Sequence, residues 1–279
     1  MKILKAVIQL LTILILTISC SSKAQNDWLI LKDSVFSEGT YNQNHFEIFG
    51  KYTSGYNLDV LKGIDKVQSS AMDGGGYFVG IKADPPESPI GYDLKLFGKD
   101  LFDLERTTSY CSGASYSAFI EGLNSIYSDS NKILNDAIFE SIRMQEVDGS
   151  RREDGIKFWG NWNDDGYGNH FALVQYSGIG NVIEPKNAQP GDFMNISWKS
   201  GGGHSVVFLG WHIDKNDSLN VVYWSSQKST NGLGDDVVPV SKIKEVMIVR
   251  LTNPNLLYNL EVDKPVDRNV SGYKINYPD

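Results

Sequence analysis

The stretch that decides the fold is Tyr110-Cys111-Ser112-Gly113-Ala114-Ser115-Tyr116-Ser117-Ala118-Phe119-Ile120. Its apolar residues recur near a period of 3.6, which predicts a helix, and the hydroxyl residues at 107–109 are typical N-cap groups. We therefore expect Cys111 in the first helical turn, where unpaired N–H groups and the positive end of the helix dipole favour a thiolate. The alternative interpretation is that Cys111 is a small buried core residue.

Composition sets the general class of the protein. The chain has 279 residues, of which 41% are hydrophobic, and this is enough for one large domain or two modest ones. The formal net charge is −8, and no run of Lys or Arg occurs. Both features argue against binding of nucleic acid through a basic surface.

The N-terminus predicts export. Lys2 and Lys5 precede an apolar run over 6–16, too short to span a membrane, so residues 1–20 are expected to be a signal peptide. Ser19-Cys20 resembles a bacterial lipobox, which implies lipidation of Cys20 and a membrane anchor. The alternative is cleavage near Ser19 without lipidation. With Cys20 lipidated, Cys111 would be the one remaining thiol of an exported protein, which favours a functional role.

Three further segments follow the signal peptide. Residues 21–100 are expected to form an α/β region that packs on the core, residues 101–252 the main domain, and residues 253–279 a polar tail that is either ordered or frayed. A polar stretch between 146 and 169 carries Trp159 and Trp162, aromatic residues of the kind that line a sugar- or peptide-binding groove. A loop whose tryptophans fix it to the core is the alternative.

The second half of the chain predicts an antiparallel sheet. A short helix over 170–176 and the turn Pro190-Gly191-Asp192 come first. Strands then follow at 193–198, 204–211, 221–227 and 246–251, interpreted as a meander with His204 opening the second strand. The expected class is α+β, with the helix that carries the cysteine packed on the sheet that carries the histidine.

Cys111 and His204 together predict nucleophilic catalysis. A thiol of ordinary pKa, about 8.5, is little ionised at neutral pH, so amide cleavage requires an imidazolium or a helix dipole beside it. Gln227, or next Ser225, would orient the imidazole, because strand alternation places both on one face. The Cys111 backbone N–H would hold the oxyanion together with a second, unidentified donor.

The order of these fragments resembles the NlpC/P60 and CHAP branch of the papain-like cysteine hydrolases over Thr107 to Leu251. Tyr110-Cys111-Ser112-Gly113 stands where that group has Asp-Cys-Ser-Gly, and Pro190-Gly191-Asp192 precedes Gly203-His204-Ser205 as it does there. The resemblance implies a papain-like fold with Cys111 as nucleophile and His204 as base. It also implies an amide of peptidoglycan or of a related peptide as the substrate.

The expected function is therefore a hydrolase of the bacterial cell envelope. Its muropeptide substrate would contact the residues Tyr110, Ser112, Trp159 and Trp162. No cofactor is expected, and the absence of His-x-His, His-Glu-x-x-His or paired-cysteine spacing argues against zinc. The alternatives are a lipoprotein of the same fold that only binds wall fragments or glycans, and a structural lipoprotein without a pocket.

Overall fold

The computed structural model describes residues 28–77, 90, 92–101, 110–128, 133–142, 167–267 and 269–278. The helices are α1 (His45–Phe49), α2 (Asn57–Ser69), α3 (Tyr110–Ile126), α4 (Asp136–Ile142) and α5 (Gly168–His170), the last of which continues as a π-helix over Phe171–Tyr176. The strands are β1 (Ile30–Leu31), β2 (Lys95–Leu96), β3 (Lys99–Asp100), β4 (Gly180–Ile183), β5 (Phe193–Trp198), β6 (Gly203–Ile213), β7 (Leu219–Gln227), β8 (Gly232–Pro239) and β9 (Ile243–Leu251).

Seven strands form the main sheet, in the order β4-β9-β5-β6-β7-β8, with β1 pairing in parallel to β6. All other pairings in this sheet are antiparallel, so the predicted α+β class is confirmed. The predicted meander was wrong, because β9 lies between β4 and β5 rather than beyond β7. The sequence reading missed β8, whose Gly232-Leu233-Gly234 start resembles a turn.

Both faces of the main sheet are buried. Alternate residues such as Phe193, Val207 and Trp224 belong to a main core shared with α2 and α3. Their neighbours Met194 and Val206 point to the opposite side and belong to a second core. Burial of both faces explains why these strands carry nearly continuous apolar runs.

Helices α2 and α3 pack closely against each other. A Cβ added at Gly63 would lie 2.6 Å from the carbonyl oxygen of Ala118 and 2.9 Å from the backbone nitrogen of Gly122. Glycine is therefore required at Gly63 for the two backbones to approach this closely. The region before residue 101 consequently packs directly on the helix that carries Cys111.

The Pro-Gly-Asp turn is a second link between these regions. Asp192 is fully buried and accepts hydrogen bonds from Arg250 Nε and Nη2, both at 2.7 Å, and from Asn57 Nδ2 at 2.8 Å. A bidentate guanidinium compensates the cost of burying the carboxylate. This network joins the start of α2 to the turn before β5 and to β9.

A buried histidine holds α1 to the edge of the sheet. His45 is fully buried, with Nδ1 2.9 Å from Asp65 Oδ1 and Nε2 2.8 Å from Asp235 Oδ1. Burial alone would lower the pKa of this imidazole. The two carboxylates more than offset that effect and raise its pKa to about 9, so His45 is a cation at neutral pH.

The C-terminal segment is ordered against the domain. Tyr273 pairs with Val246 of β9 through backbone hydrogen bonds, and the ring of Tyr277 contacts Trp28 at a centroid distance of 5.2 Å. Trp28 in turn packs on Trp211 of the second core, with ring centroids 5.1 Å apart. The tail thus covers the second core together with the residues that precede β1.

No helix within the described ranges is long and apolar enough to cross a membrane. The expected signal peptide, with Cys20, lies outside those ranges, and so do Trp159 and Trp162. Lipidation and the aromatic groove therefore stay predictions.

We expect His45→Gln to lower the free energy of unfolding at pH 7 by about 3 to 5 kcal/mol, because it leaves two carboxylates without their cation. The folded pKa of His45 is raised, so its stabilisation is complete below about pH 6.5 and is lost as pH rises through 9. Urea denaturation between pH 6 and 10 should show this loss in the native protein but not in the variant. His212→Gln, at a longer 3.6 Å contact with Asp33, is the control, and an equal effect there would contradict the assignment.

We expect Gly63→Ala to destabilise the protein by about 1 to 3 kcal/mol although alanine favours a helix, because the added methyl group meets the backbone of α3. Denaturant unfolding measures the change. Ser69→Ala, at an exposed position of the same helix, should stay within about 0.5 kcal/mol of the native protein. A stabilised Gly63→Ala protein would show that the helices are not in contact there.

Candidate functional site

Cys111 is the second residue of α3 and is half-buried. The sequence expectation of a cysteine in the first turn is met. At this position the first N–H groups of the helix and the positive end of its dipole favour the thiolate over the thiol.

The residue before Cys111 has an unusual backbone. Tyr110 has φ 55°, a left-handed conformation that is rare for a bulky side chain and recurs at functional sites. Its ring contacts Tyr77, with centroids 6.0 Å apart in an edge-on arrangement. Tyr110 is thus half-buried beside the cysteine, and its contact with substrate stays a prediction.

Hydroxyl groups connect the cysteine helix to the histidine strand. Ser115 Oγ lies 3.1 Å from the carbonyl oxygen of Cys111 and 2.7 Å from Ser205 Oγ, the residue after His204. Ser115 and Ser205 are fully buried. Ser112, expected to contact substrate, is only 1% exposed, so its side chain faces the interior rather than a groove.

His204 lies between two aromatic rings. Its imidazole stacks on Trp198, with centroids 6.3 Å apart, and meets the edge of Tyr223 at 5.4 Å. The residue is 9% exposed, and burial lowers its pKa to about 4, although the Gln227 side chain acts in the opposite direction. His204 is therefore neutral at physiological pH.

Gln227 and Ser225 were both candidates to orient this imidazole. Gln227 Nε2 donates to Thr230 Oγ1 at 2.7 Å, and its Oε1 is buried without a hydrogen-bond partner in the described part of the chain. Ser225 Oγ instead donates to the backbone carbonyl of Ser205 at 2.6 Å. Of Gln227 and Ser225, it is Gln227 whose side chain raises the pKa of His204.

The sequence reading missed Tyr223. Burial raises the pKa of Tyr223, and the negative charges of Asp236, Cys111 and Glu38 act in the same direction. The ring of Tyr223 lies edge-on to His204, with centroids 5.4 Å apart. The signal was available in the alternation of β7, which places Tyr223 on the face of Gln227.

Cys111 and His204 are not hydrogen-bonded in this resting structure. His204 Nε2 is buried and has no hydrogen-bond partner within the described ranges. Catalytic hydrogen bonds in unliganded enzymes are often long and tighten only when substrate binds. A neutral imidazole is the form that can take the proton of a thiol.

Metal chemistry has no support among the residues described. No group of three His, Cys, Asp or Glu side chains there could hold an ion.

We expect His204→Ala to leave the pKa for iodoacetamide labelling of Cys111 within about 0.3 unit of the native value, because the resting imidazole is neutral and carries no charge to stabilise the thiolate. Labelling rates between pH 5 and 10 measure it, with His212→Ala as control. A pKa that rises by about 1 unit in His204→Ala alone would contradict this prediction and would establish an imidazolium beside the sulfur.

Comparison with protein families, curated proteins and solved structures gives no match for this chain. The likeness to papain-like hydrolases consequently remains a likeness of motifs and of their order along the chain.

Proposed function

We propose that this protein is a cysteine hydrolase of the bacterial cell envelope that cleaves an amide bond in peptidoglycan or a related peptide, on a papain-like fold. The observation that carries the proposal is the 2.7 Å hydrogen bond between Ser115 and Ser205, which holds the start of the cysteine helix against the start of the histidine strand. Cys111 stands at a helix N-terminus, and His204 and Gln227 come from adjacent antiparallel strands.

The reaction would begin with proton transfer. Neutral His204 accepts the proton of the Cys111 thiol, and the thiolate attacks the carbonyl carbon of the amide. The Cys111 backbone N–H, in the first turn of α3, donates to the oxyanion that forms. Gln227 Oε1, which has no hydrogen-bond partner in the described chain, can accept from the imidazolium N–H and favour the charged state.

Collapse of the tetrahedral intermediate breaks the C–N bond. The imidazolium of His204 gives its proton to the departing amine, and a thioester remains on Cys111. A water molecule then attacks the thioester while His204 accepts its proton. The acid is released, and the thiol recovers that proton from the imidazolium, so the catalyst is regenerated.

Location in the envelope is proposed from the N-terminus. Lys2 and Lys5, the apolar run over 6–16 and the Ser19-Cys20 pair are typical of an exported lipoprotein. Peptidoglycan or a related peptide is the amide-containing polymer that such a protein would meet. Membrane association would come through the lipid on Cys20, and no nucleic acid is expected as a partner.

One observation favours the second candidate, a wall-binding lipoprotein without turnover. His204 Nε2 is not bonded to the Cys111 sulfur, and burial holds the pKa of His204 far below neutrality. A protein that had lost catalysis would keep Cys111 and a buried, neutral His204 without a hydrogen bond between them. Turnover by the native protein distinguishes the two functions.

We expect Cys111→Ala to abolish release of muropeptides from purified sacculi, with a loss of at least about a thousandfold, because no other nucleophile is proposed. The released products are measured by liquid chromatography and mass spectrometry. Cys20→Ser is the matched control, since it changes the other cysteine of the chain and should keep the activity of the purified protein. Unchanged release by Cys111→Ala, with the fold intact, would contradict the proposal.

A further inference from the structure

The proposed reaction leaves one donor to the oxyanion unassigned. The Cys111 backbone N–H supplies one hydrogen bond, whereas oxyanion sites in acyl transfer combine several preorganised donors. We propose that the side-chain amide of Asn169 is the second donor, with its Nδ2 hydrogen-bonded to the oxyanion that forms from the scissile carbonyl. This inference rests on the proposed function and completes its oxyanion site.

Asn169 lies on the face of the sheet that α3 covers. Asn195 of β5 and Ser205 of β6 are directly paired in the sheet. Phe193 and Val207, two positions along the same strands, belong to the main core shared with α2 and α3. The two polar side chains therefore share that face. Asn169 contacts both of them, since its backbone N–H donates to Asn195 Oδ1 at 3.0 Å and its Oδ1 lies 3.4 Å from Ser205 Oγ.

Hydroxyl groups join this amide to the first turn of α3. Ser205 Oγ lies 2.7 Å from Ser115 Oγ. Ser115 Oγ in turn lies 3.1 Å from the carbonyl oxygen of Cys111 and 3.2 Å from that of Ser112. The carboxamide of Asn169 is therefore held beside the helical turn that carries the sulfur and its backbone N–H.

The donor atom of this amide is unused. Asn169 is fully buried, and its Nδ2 has no hydrogen-bond partner within the described ranges. A buried donor without an acceptor destabilises a protein, so each such group in a native structure requires an explanation. An acceptor that arrives with the substrate can bind Nδ2 without breaking an existing hydrogen bond. The oxyanion formed by attack of Cys111 is an acceptor of this kind.

The next residue provides a matched contrast. His170 is 8% exposed, and its Nδ1 also has no partner in the described part of the chain. Its Nε2 lies 3.1 Å from Gln175 Nε2, and both amide atoms of Gln175 bind the backbone of Asp267. The C-terminal segment thus orients the His170 ring, whereas Ser205 on the α3 side contacts the Asn169 amide. His170 therefore serves as the control for Asn169.

Two reactions at the same sulfur distinguish an oxyanion donor from a structural amide. The Cys111 thiolate attacks the carbonyl carbon of p-nitrophenyl acetate, an oxyanion forms, p-nitrophenolate leaves and an acetyl thioester remains. The same thiolate attacks the methylene carbon of iodoacetamide, iodide leaves and no oxyanion forms. The measured quantity is the ratio of the acylation rate to the alkylation rate with the full chain. Cys111→Ala gives the background from Cys20.

We expect Asn169→Ala and Asn169→Leu each to lower this ratio by about a hundredfold, the usual effect of removing one oxyanion donor. The two variants leave different volumes at the site, so a loss common to both results from the missing donor rather than from a cavity. His170→Gln should keep the native ratio. The native ratio itself should exceed that of 2-mercaptoethanol by at least about a hundredfold.

The negative outcomes have different meanings. A native ratio in both Asn169 variants would overturn the second donor while leaving the proposed hydrolase intact, and so would an equal loss in His170→Gln. A native ratio no higher than that of 2-mercaptoethanol would also overturn it, and this measurement does not depend on how the variants fold. A Cys111 that reacts with neither reagent would overturn the proposed function itself.

Discussion

The candidate site depends on the buried hydrogen bond between Ser115 and Ser205. Ser115 lies one turn after Cys111 and also donates to the cysteine carbonyl, while Ser205 directly follows His204. The bond therefore fixes the start of α3 against the start of β6, two elements separated by 90 residues in the chain. The contact at Gly63 holds α2 against α3. The Asp192–Arg250 ion pair holds the turn before β5 against β9.

Two buried histidines have opposite electrostatic environments. His45 has a carboxylate on each ring nitrogen and is held as a cation, whereas His204 has aromatic neighbours and is held neutral. Stabilisation from His45 is lost as pH rises through 9, and stabilisation from His204 is lost as pH falls from about 6.5 through 4. Each pKa difference corresponds to about 3 kcal/mol, so these two groups together favour folding most near pH 6.5. His45 is thus a structural cation, whereas the neutral His204 is a base that can accept a proton.

Local patterns in the sequence predict much of this arrangement. The period of the stretch after Tyr110 identifies α3, and apolar runs bounded by turn residues identify β5, β6 and β7. The position of β9 between β4 and β5 is a matter of long-range pairing, which adjacent residues do not encode. The glycines at the start of β8 resemble a turn, although β8 is a strand whose outer edge donates backbone hydrogen bonds to the carbonyl groups of Thr40 and Gly74.

The chemistry of the site is predictable only in part. Cys111, His204 and Gln227 are predicted from residue type and strand position. The contact of Tyr223 with His204 is not predicted, because it joins side chains of two different strands. The neutral state of His204 also depends on burial against Trp198, which comes from the next strand across the sheet. Such properties follow from packing rather than from the order of residues.

The most direct test of the central claim is to look for the covalent intermediate. Purified protein is mixed with muropeptides, quenched in acid within the first turnovers and analysed by mass spectrometry after digestion. We expect the peptide that contains Cys111 to gain the mass of the acyl half of the substrate, in a form that hydroxylamine removes. Cleavage of the substrate while Cys111 stays unmodified throughout, including under conditions that slow hydrolysis of a thioester, would contradict thiolate attack.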